Sequence, residues 1–441
     1  MRKLFAFSCA LLVCVIAECG WSAAQNNPSQ PLQPMSSHPV TATAWNFDCI
    51  YESGCGPGGT WITTVSQPGT TRLWYSGTGW SQLESAPGTY IWHNLDVWLD
   101  MVAEHQPRAI LFTFGQTPCW ISITPCTGQG WGPGNTWSTT PPSDLTPSGS
   151  PSFTTFVTEL TEHCSPGGNC VKDYIKYWEM WNEPNLTPYW TGTATQLYEL
   201  FKPVIPIIRK NVPGAIISTP PVGGGDVTWA GSWLTLENTK GRLSDYYGFH
   251  SYMQSFTPEK RMGMIGNMVT TKNNYGWTKT PWMNTETNFG NTTLECDTTQ
   301  FTTQECDGNL VRWFVLQYAY QGGAGGAYNV GWYNWNSITS GGYDTYYDTL
   351  MRWLVGSTFT ASCSSAKDST VWTCPLTTAS GASGLIVWNT AGDSTYTPAT
   401  EYVKYREFNE TYGGDTVKIS RGEATTIGVI PIMFETNSGG S

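Results

Sequence analysis

The stretch Tyr177-Trp178-Glu179-Met180-Trp181-Asn182-Glu183-Pro184-Asn185 decides how this chain is read. Its first half is aromatic and apolar, as a strand buried on both faces requires. Pro184 then ends the strand, because it has no N–H to give to a ladder. Glu183 therefore stands at the C-terminal end of a strand, the end that carries chemistry in a barrel of parallel strands. Glu179, further back on the same strand, reads as a buried structural partner.

Working outward, Thr43–Phe47, Arg72–Tyr75 and Ala109–Phe114 are strand-like runs before the fourth strand at Tyr177–Asn182. Ala215–Thr219, Tyr247–Tyr252, Pro281–Thr285 and Gly326–Tyr333 follow it. Helical patterns fall between them at Leu95–His105, Ser152–Cys164, Thr195–Arg209, Pro258–Lys272 and Gly308–Gln321, with the fifth and sixth crossovers weakly patterned. Eight strands separated by crossover segments predict an α/β fold, a (β/α)8 TIM barrel over residues 41–356. From about Ser357 the helical texture stops. Val371–Thr373, Leu385–Trp388, Tyr402–Tyr405, Val417–Ile419 and Thr426–Ile432 predict a small β-sandwich over 357–441, a stabilising companion to the barrel.

The N-terminus predicts export. Arg2 and Lys3 precede an apolar run from Leu4 to Ile16, and Ser22-Ala23-Ala24 offers a small-residue cleavage site. Residues 1–24 are thus the expected signal peptide and 25–40 a flexible leader. No later segment is expected to span a membrane. Of 13 cysteines, three fall in the signal, and ten form close sequential couples: Cys49/Cys55, Cys119/Cys126, Cys164/Cys170, Cys296/Cys306 and Cys363/Cys374. In an exported chain this favours five local disulfides, with nearest-neighbour pairing a guess that spacing does not prove. A zinc site fits poorly, since there is no CxxC and only 5 His are present.

Composition narrows the partner. The formal charge is −11, charged residues are 12% and aromatics 14% of 441 residues, so no basic footprint exists for nucleic acid. A neutral, hydroxyl-rich ligand such as a polysaccharide or oligosaccharide suits a chain with 23 Trp and 22 Tyr. Cleaving a glycosidic bond needs a protonated carboxylic acid beside the leaving oxygen, and an apolar surround favours that form of a Glu. Glu183 fits this acid/base role, and the Asn182 amide is placed to bond a sugar 2-hydroxyl. A second carboxylate, Glu286 in Pro281-Trp282-Met283-Asn284-Thr285-Glu286-Thr287, lies 103 residues downstream at the end of the seventh strand. Arg72 would hold it ionised. Trp332 and Trp335 are candidate platforms under the sugar, with Trp332 the first choice. Gln116 and Trp120, and Trp45 with Asn46, are candidate subsite residues. No metal or other cofactor is implied. The Asn-x-Thr sequences at Asn185, Asn291 and Asn409 matter only in a eukaryotic secretory host.

Asn182-Glu183-Pro184 at the end of the fourth strand resembles the retaining glycoside hydrolases of clan A. In that clan the nucleophile is a Glu at the end of the seventh strand, which Glu286 matches, and His250 and Tyr252 match its usual His and Tyr neighbours. Arg72-Leu73-Trp74, Trp80, Leu83, Gly88-Thr89-Tyr90, Leu95-Asp96, Gly115-Gln116-Thr117-Pro118 and Trp120 resemble the N-terminal half of family 39 and its relatives. The resemblance covers roughly residues 43–355. It implies a retaining hydrolase of β-glycosidic bonds; the N-terminus makes it a secreted one, and the many aromatics in predicted barrel loops slightly favour endo-action. An exo-acting, xylosidase-like enzyme, a transglycosylase and a non-catalytic carbohydrate-binding protein are the alternatives.

Overall fold

A computed structural model of the chain describes residues 69–104, 109–124, 126, 137–290, 296–320, 326–333, 337–338, 341–408 and 415–437, and the backbone of 45–48. The expected signal and leader, the Cys49/Cys55 couple and Trp335 lie outside these residues. So do the side chains of Trp45 and Asn46, which belong to the first strand.

Eight strands form one parallel sheet: β1 (Trp45–Asp48), β2 (Thr70–Leu73), β3 (Ile110–Thr113), β4 (Ile175–Glu179), β5 (Ile216–Ser218), β6 (Tyr247–His250), β7 (Trp282–Thr287) and β8 (Ala327–Trp332). They are hydrogen-bonded in the order β5-β4-β3-β2-β1-β8-β7-β6. Parallel bridges from Ser218 to Tyr246 and from Val222 to Phe249 join β5 to β6 and close the barrel. Every residue of β2, β3, β6 and β7 is buried, as strands covered by helices outside and by packed side chains inside must be. Leu111, Tyr177 and Met283, with Tyr246 and Tyr328 against them, fill part of the interior.

Helices follow each crossover from β2 onward: α1 (His93–Glu104), α2 (Pro151–Glu162), α3 (Ala194–Phe201) with α4 (Ile205–Asn211), α5 (Val227–Lys240), α6 (Pro258–Asn274), α7 (Thr303–Ala319) and α8 (Asp344–Leu354). The fifth crossover, weakly patterned in sequence, holds the 14-residue α5. Gly231, Ser232 and Thr235 dilute its apolar face, but Asp226 caps its start by accepting from the N–H groups of Thr228 and Trp229. In α7, the residues from Gly308 to Ala319 are all buried. A barrel helix usually keeps a wet face, and α7 loses its own because the C-terminal strands lie on it. A Cβ at Gly308 would stand 2.4 Å from the Val429 carbonyl oxygen, so only glycine permits that approach.

Those C-terminal strands are β9 (Val371–Thr377), β10 (Ser383–Asn389), β11 (Ser394–Tyr396), β12 (Lys404–Glu407), β13 (Asp415–Lys418), β14 (Thr425–Ile427) and β15 (Ile432–Glu435). β9-β10-β15-β12-β13 form an antiparallel sheet, and β11 pairs with β14 as a separate ribbon. The expected single strand Thr426–Ile432 is thus two short strands in different sheets. Trp372, Cys374, Leu376, Ile386, Trp388 and Met433 join the barrel core. Val387, Tyr402, Ile427, Ile432 and Phe434 build a second small core. The period of two separates these sets along β9 and β10. Trp388 Nε1 donates to Glu259 Oε1 on α6 at 2.9 Å, and Glu259 pairs with Arg312 on α7 at 3.2 Å.

Four of the five expected cysteine couples are disulfides: Cys119–Cys126, Cys164–Cys170, Cys296–Cys306 and Cys363–Cys374. Among the described residues no helix is long and apolar enough to cross a membrane.

Candidate active site

β4 stops at Glu179, earlier than the expected Tyr177–Asn182, and the chain then turns sharply. Trp181 has φ +79° and Glu183 φ +41°, left-handed values that cost a bulky residue of order 1–3 kcal/mol each. Packing supplies the constraint. Trp181 is buried edge-on against Trp190 at 5.0 Å, and its indole N–H donates to the Tyr189 carbonyl at 3.0 Å. The turn has a chemical result. On a regular strand, Asn182 and Glu183 would point to opposite faces. Here both reach the barrel mouth, where Asn182 meets Arg72 and Glu183 meets His250.

Arg72, wholly buried on β2, organises the floor of the site. Its Nε and Nη2 donate to Glu179 Oε2 at 2.9 and 2.7 Å, and its Nη1 donates to Glu286 Oε2 at 2.7 Å. Nη2 also donates to Asn182 Oδ1 at 2.6 Å, which fixes that amide with Nδ2 turned away. Nδ2 is buried with no partner among the described residues. Thr113 and Thr285 donate their hydroxyls to Glu179 as well, so its carboxylate is fully engaged inside the barrel. Glu179 is the structural partner expected.

Glu286 ends β7 beside this group. Burial by itself would raise its pKa, but the charge of His250, the Arg72 guanidinium and the Tyr252 phenol hydrogen bond together hold it below the usual carboxylate range. Tyr252 donates to Glu286 Oε1. Burial first, then the charges of Glu286 and Glu183, push that phenol well above its ordinary pKa, so it remains a donor.

His250 was expected as a neighbour of Glu286, and the structure sets it closer to Glu183. Its Nδ1 lies 2.9 Å from Glu183 Oε1 and 3.7 Å from Glu286 Oε2. On the other side, Nε2 lies 3.2 Å from Thr285 Oγ1. Nε2 also lies 3.5 Å from Arg72 Nη2, a group that can only donate.

One oxygen each of Glu183 and Glu286 and a ring nitrogen of His250 all lie within 4.8 Å of one another. Such a trio outlines a divalent-cation site. However, Arg72 is already fixed 2.7 Å from Glu286 and opposes a second cation there by direct repulsion.

Other expected residues fall elsewhere. Trp332 is a core side chain and offers no platform. It is fully buried against Phe289 and Phe314, with its N–H on Ser337 Oγ at 2.8 Å. The pairing of β8 with β7 shifts register between Val330 and Trp332, so simple alternation does not carry through to that position. Gln116 is buried with φ +66°, and its carbonyl accepts from Ser81 N–H at 3.0 Å. Trp120 donates to the Glu84 carbonyl at 3.1 Å and packs on Trp80. Both therefore fasten the β3 loop to the Gly79–Glu84 turn, and no described contact takes them to the carboxylates. Asn185, one of the Asn-x-Thr positions, has its side chain committed to the Gly223 backbone.

Two residues that the sequence did not single out face the carboxylate pair. Burial, with the charges of Glu286 and Glu183, pushes Tyr75 up to about 12, and Tyr189 is raised for the same reasons. Trp74 packs on both rings, and Trp137 packs on Tyr75. These four form an aromatic wall. Tyr75 follows Arg72 by three residues at φ +55°, off the strand, so alternation gave no signal for it.

Solved structures of several enzymes share this architecture. A monomeric beta-xylosidase from Caulobacter crescentus superposes with TM-score 0.60 at 12% identity, covering 92% of this chain and 98% of that one. A glucosidase from Croceicoccus marinus gives 0.56 at 12%, covering 94% and 98%. The catalytic domain of family 30 xylanase C from Talaromyces cellulolyticus gives 0.54 at 12%, covering 92% and 99%. This chain has their fold. No family model and no curated protein sequence matches it.

Proposed function

We propose that this protein is a secreted retaining glycoside hydrolase acting on a β-linked polysaccharide or oligosaccharide. Glu286 is the nucleophile and Glu183 the acid/base. The observation that carries the reading is the carboxylate pair at the barrel mouth, one oxygen of Glu183 lying within 4.8 Å of one oxygen of Glu286. Retaining pairs stand about 5–5.5 Å apart, whereas inverting pairs leave about 6.5–9.5 Å for a water. The two environments also differ as the chemistry needs. Glu286 is held below the usual carboxylate range beside His250, Arg72 and Tyr252, while Glu183 faces the His250 ring, its Oε1 2.9 Å from Nδ1.

In the first step Glu286 attacks the anomeric carbon, and Glu183 gives its proton to the departing oxygen. In the second, Glu183 takes a proton from water as that water displaces Glu286. Asn182 Nδ2 donates to the sugar 2-hydroxyl oxygen. Endo-action is slightly favoured by the aromatic wall of Tyr75, Trp137 and Tyr189 along the loops. Residues 41–356 form the catalytic barrel in this reading, and 357–441 a β-sandwich companion that braces α6 and α7. Export is supported by the four disulfides.

The test is hydrolysis of xylan, β-glucans and aryl β-glycosides, followed by proton NMR of the nascent reducing end. The β-anomer appearing first supports the reading. The α-anomer first, or no cleavage anywhere in the panel, overturns it.

A further inference from the structure

We propose that Asn185 and Gly223 form a clamp that positions Glu183, a role that rests on the glycosidase reading. Asn185 follows the acid by two residues, outside the strand. Its Nδ2 donates to the Gly223 carbonyl at 3.0 Å, and its Oδ1 accepts from the Gly223 N–H at 2.9 Å. The side-chain amide thus pairs with one backbone residue as a neighbouring strand would, tying the acid's own loop to the loop after β5. The β5 loop is held on its far side as well, because the His250 N–H donates to the Val222 carbonyl at 3.0 Å.

This pairing brings Gly223 against the reactive group. A Cβ on Gly223 would lie 2.5 Å from Glu183 Oε1 and 2.7 Å from its Cδ, so the glycine backbone forms one wall of the carboxyl's berth. His250 Nδ1, 2.9 Å from the same Oε1, forms the other. Glu183 needs such support because its own backbone is at φ +41°, a conformation that surrounding contacts must impose. Without the clamp the β5 loop moves away, and Glu183 gains freedom to rotate off the line to the leaving oxygen. A misplacement of about 1 Å is enough to cost catalysis heavily.

The consequence is selective. Protonation matters when the leaving group is basic and matters little when it departs readily as an anion. The test therefore compares phenyl and 2,4-dinitrophenyl β-D-xyloside or β-D-glucoside, whichever sugar the wild type cleaves. Asn185→Ala should lower kcat/KM for the phenyl glycoside about tenfold or more, a fraction of the roughly 10²–10⁴ that a general acid contributes. The dinitrophenyl glycoside should stay within about twofold of wild type, since it bypasses the acid. Gly223→Ala serves as the second variant, because it breaks no hydrogen bond and displaces Glu183 by contact alone; the same selectivity is expected. An equal loss on both substrates, or no loss on either, overturns the clamp.

If the wild type cleaves neither aryl glycoside, the glycosidase reading is decided by the glycan panel alone. The clamp is then judged from a crystal structure of Asn185→Ala. A Glu183 carboxyl still bonded to His250 and still against Gly223 would refute it, and a displaced one would support it.

Discussion

Removing Arg72 should expose how much of the fold rests on one buried cation. In Arg72→Met the guanidinium that joins Glu179, Glu286 and Asn182 is lost, while a side chain of similar length still fills the space. Two carboxylates then face each other inside the barrel with only hydroxyl and imidazole partners. Breaking one buried ion pair by deleting a partner costs about 3–5 kcal/mol. At neutral pH the loss should be at least that large, because Arg72 serves both Glu179 and Glu286. The pH dependence has a definite sign. Without the cation, a buried carboxylate holds its proton to higher pH than it does unfolded, so the variant's stability falls as pH rises through that window. The difference from wild type should be larger at pH 8 than at pH 4.5. Urea unfolding followed by Trp fluorescence at both pH values measures it. Adding Glu179→Gln should recover at least about 2 kcal/mol of the loss, as coupled sites do. A deficit under about 1 kcal/mol, a deficit equal at both pH values, or strict additivity with Glu179→Gln would rule out this role for Arg72.

Tyr252→Phe removes a phenol that helps keep Glu286 ionised, so the acid limb of kcat/KM should move up by about one pH unit, the worth of one hydrogen bond to a charged group. A pH–rate profile with an unmoved acid limb would contradict this. Trp332→Phe should lower the unfolding free energy by about 1–2 kcal/mol, through a smaller core side chain and the lost bond to Ser337, while KM stays within twofold. Steady-state kinetics beside thermal melts checks the separation. Lys272, buried at the end of α6, has its pKa lowered to about 8 by burial first and by Arg242 second. Between that value and the ordinary 10.5 the unfolded chain binds more protons, so this group makes wild-type stability rise with pH there. Lys272→Met should flatten the rise, visible as a smaller change in Tm between pH 7 and pH 10.

The barrel was legible in the sequence because its strands are covered on both sides and stand out as apolar runs. Glu183 and Glu286 were legible because each follows such a run, and Pro184 marks the exit. What escaped depends on departures from regular alternation. Trp332 follows a register shift in β8, and Tyr75 lies past the end of β2 at a positive φ. Thr113 and Thr285 gave no signal, since threonine is an ordinary strand residue; their role comes from facing Glu179 across the interior. The clan resemblance set His250 beside Glu286, but which carboxylate it meets most closely depends on the turn at Trp181–Glu183. The weak pattern of the fifth crossover hid α5, whose start depends on the Asp226 cap more than on an apolar stripe.

The division of labour between Glu183 and Glu286 is tested most directly by azide rescue. Glu286→Ala leaves a space on the α face of a bound β-glycoside, and Glu183→Ala leaves the glycosyl-enzyme intact with its β face open. With an activated aryl β-glycoside, azide should restore turnover of both variants. An α-glycosyl azide is expected from Glu286→Ala and a β-glycosyl azide from Glu183→Ala. The opposite assignment of anomers, or the same anomer from both, would contradict that division of labour.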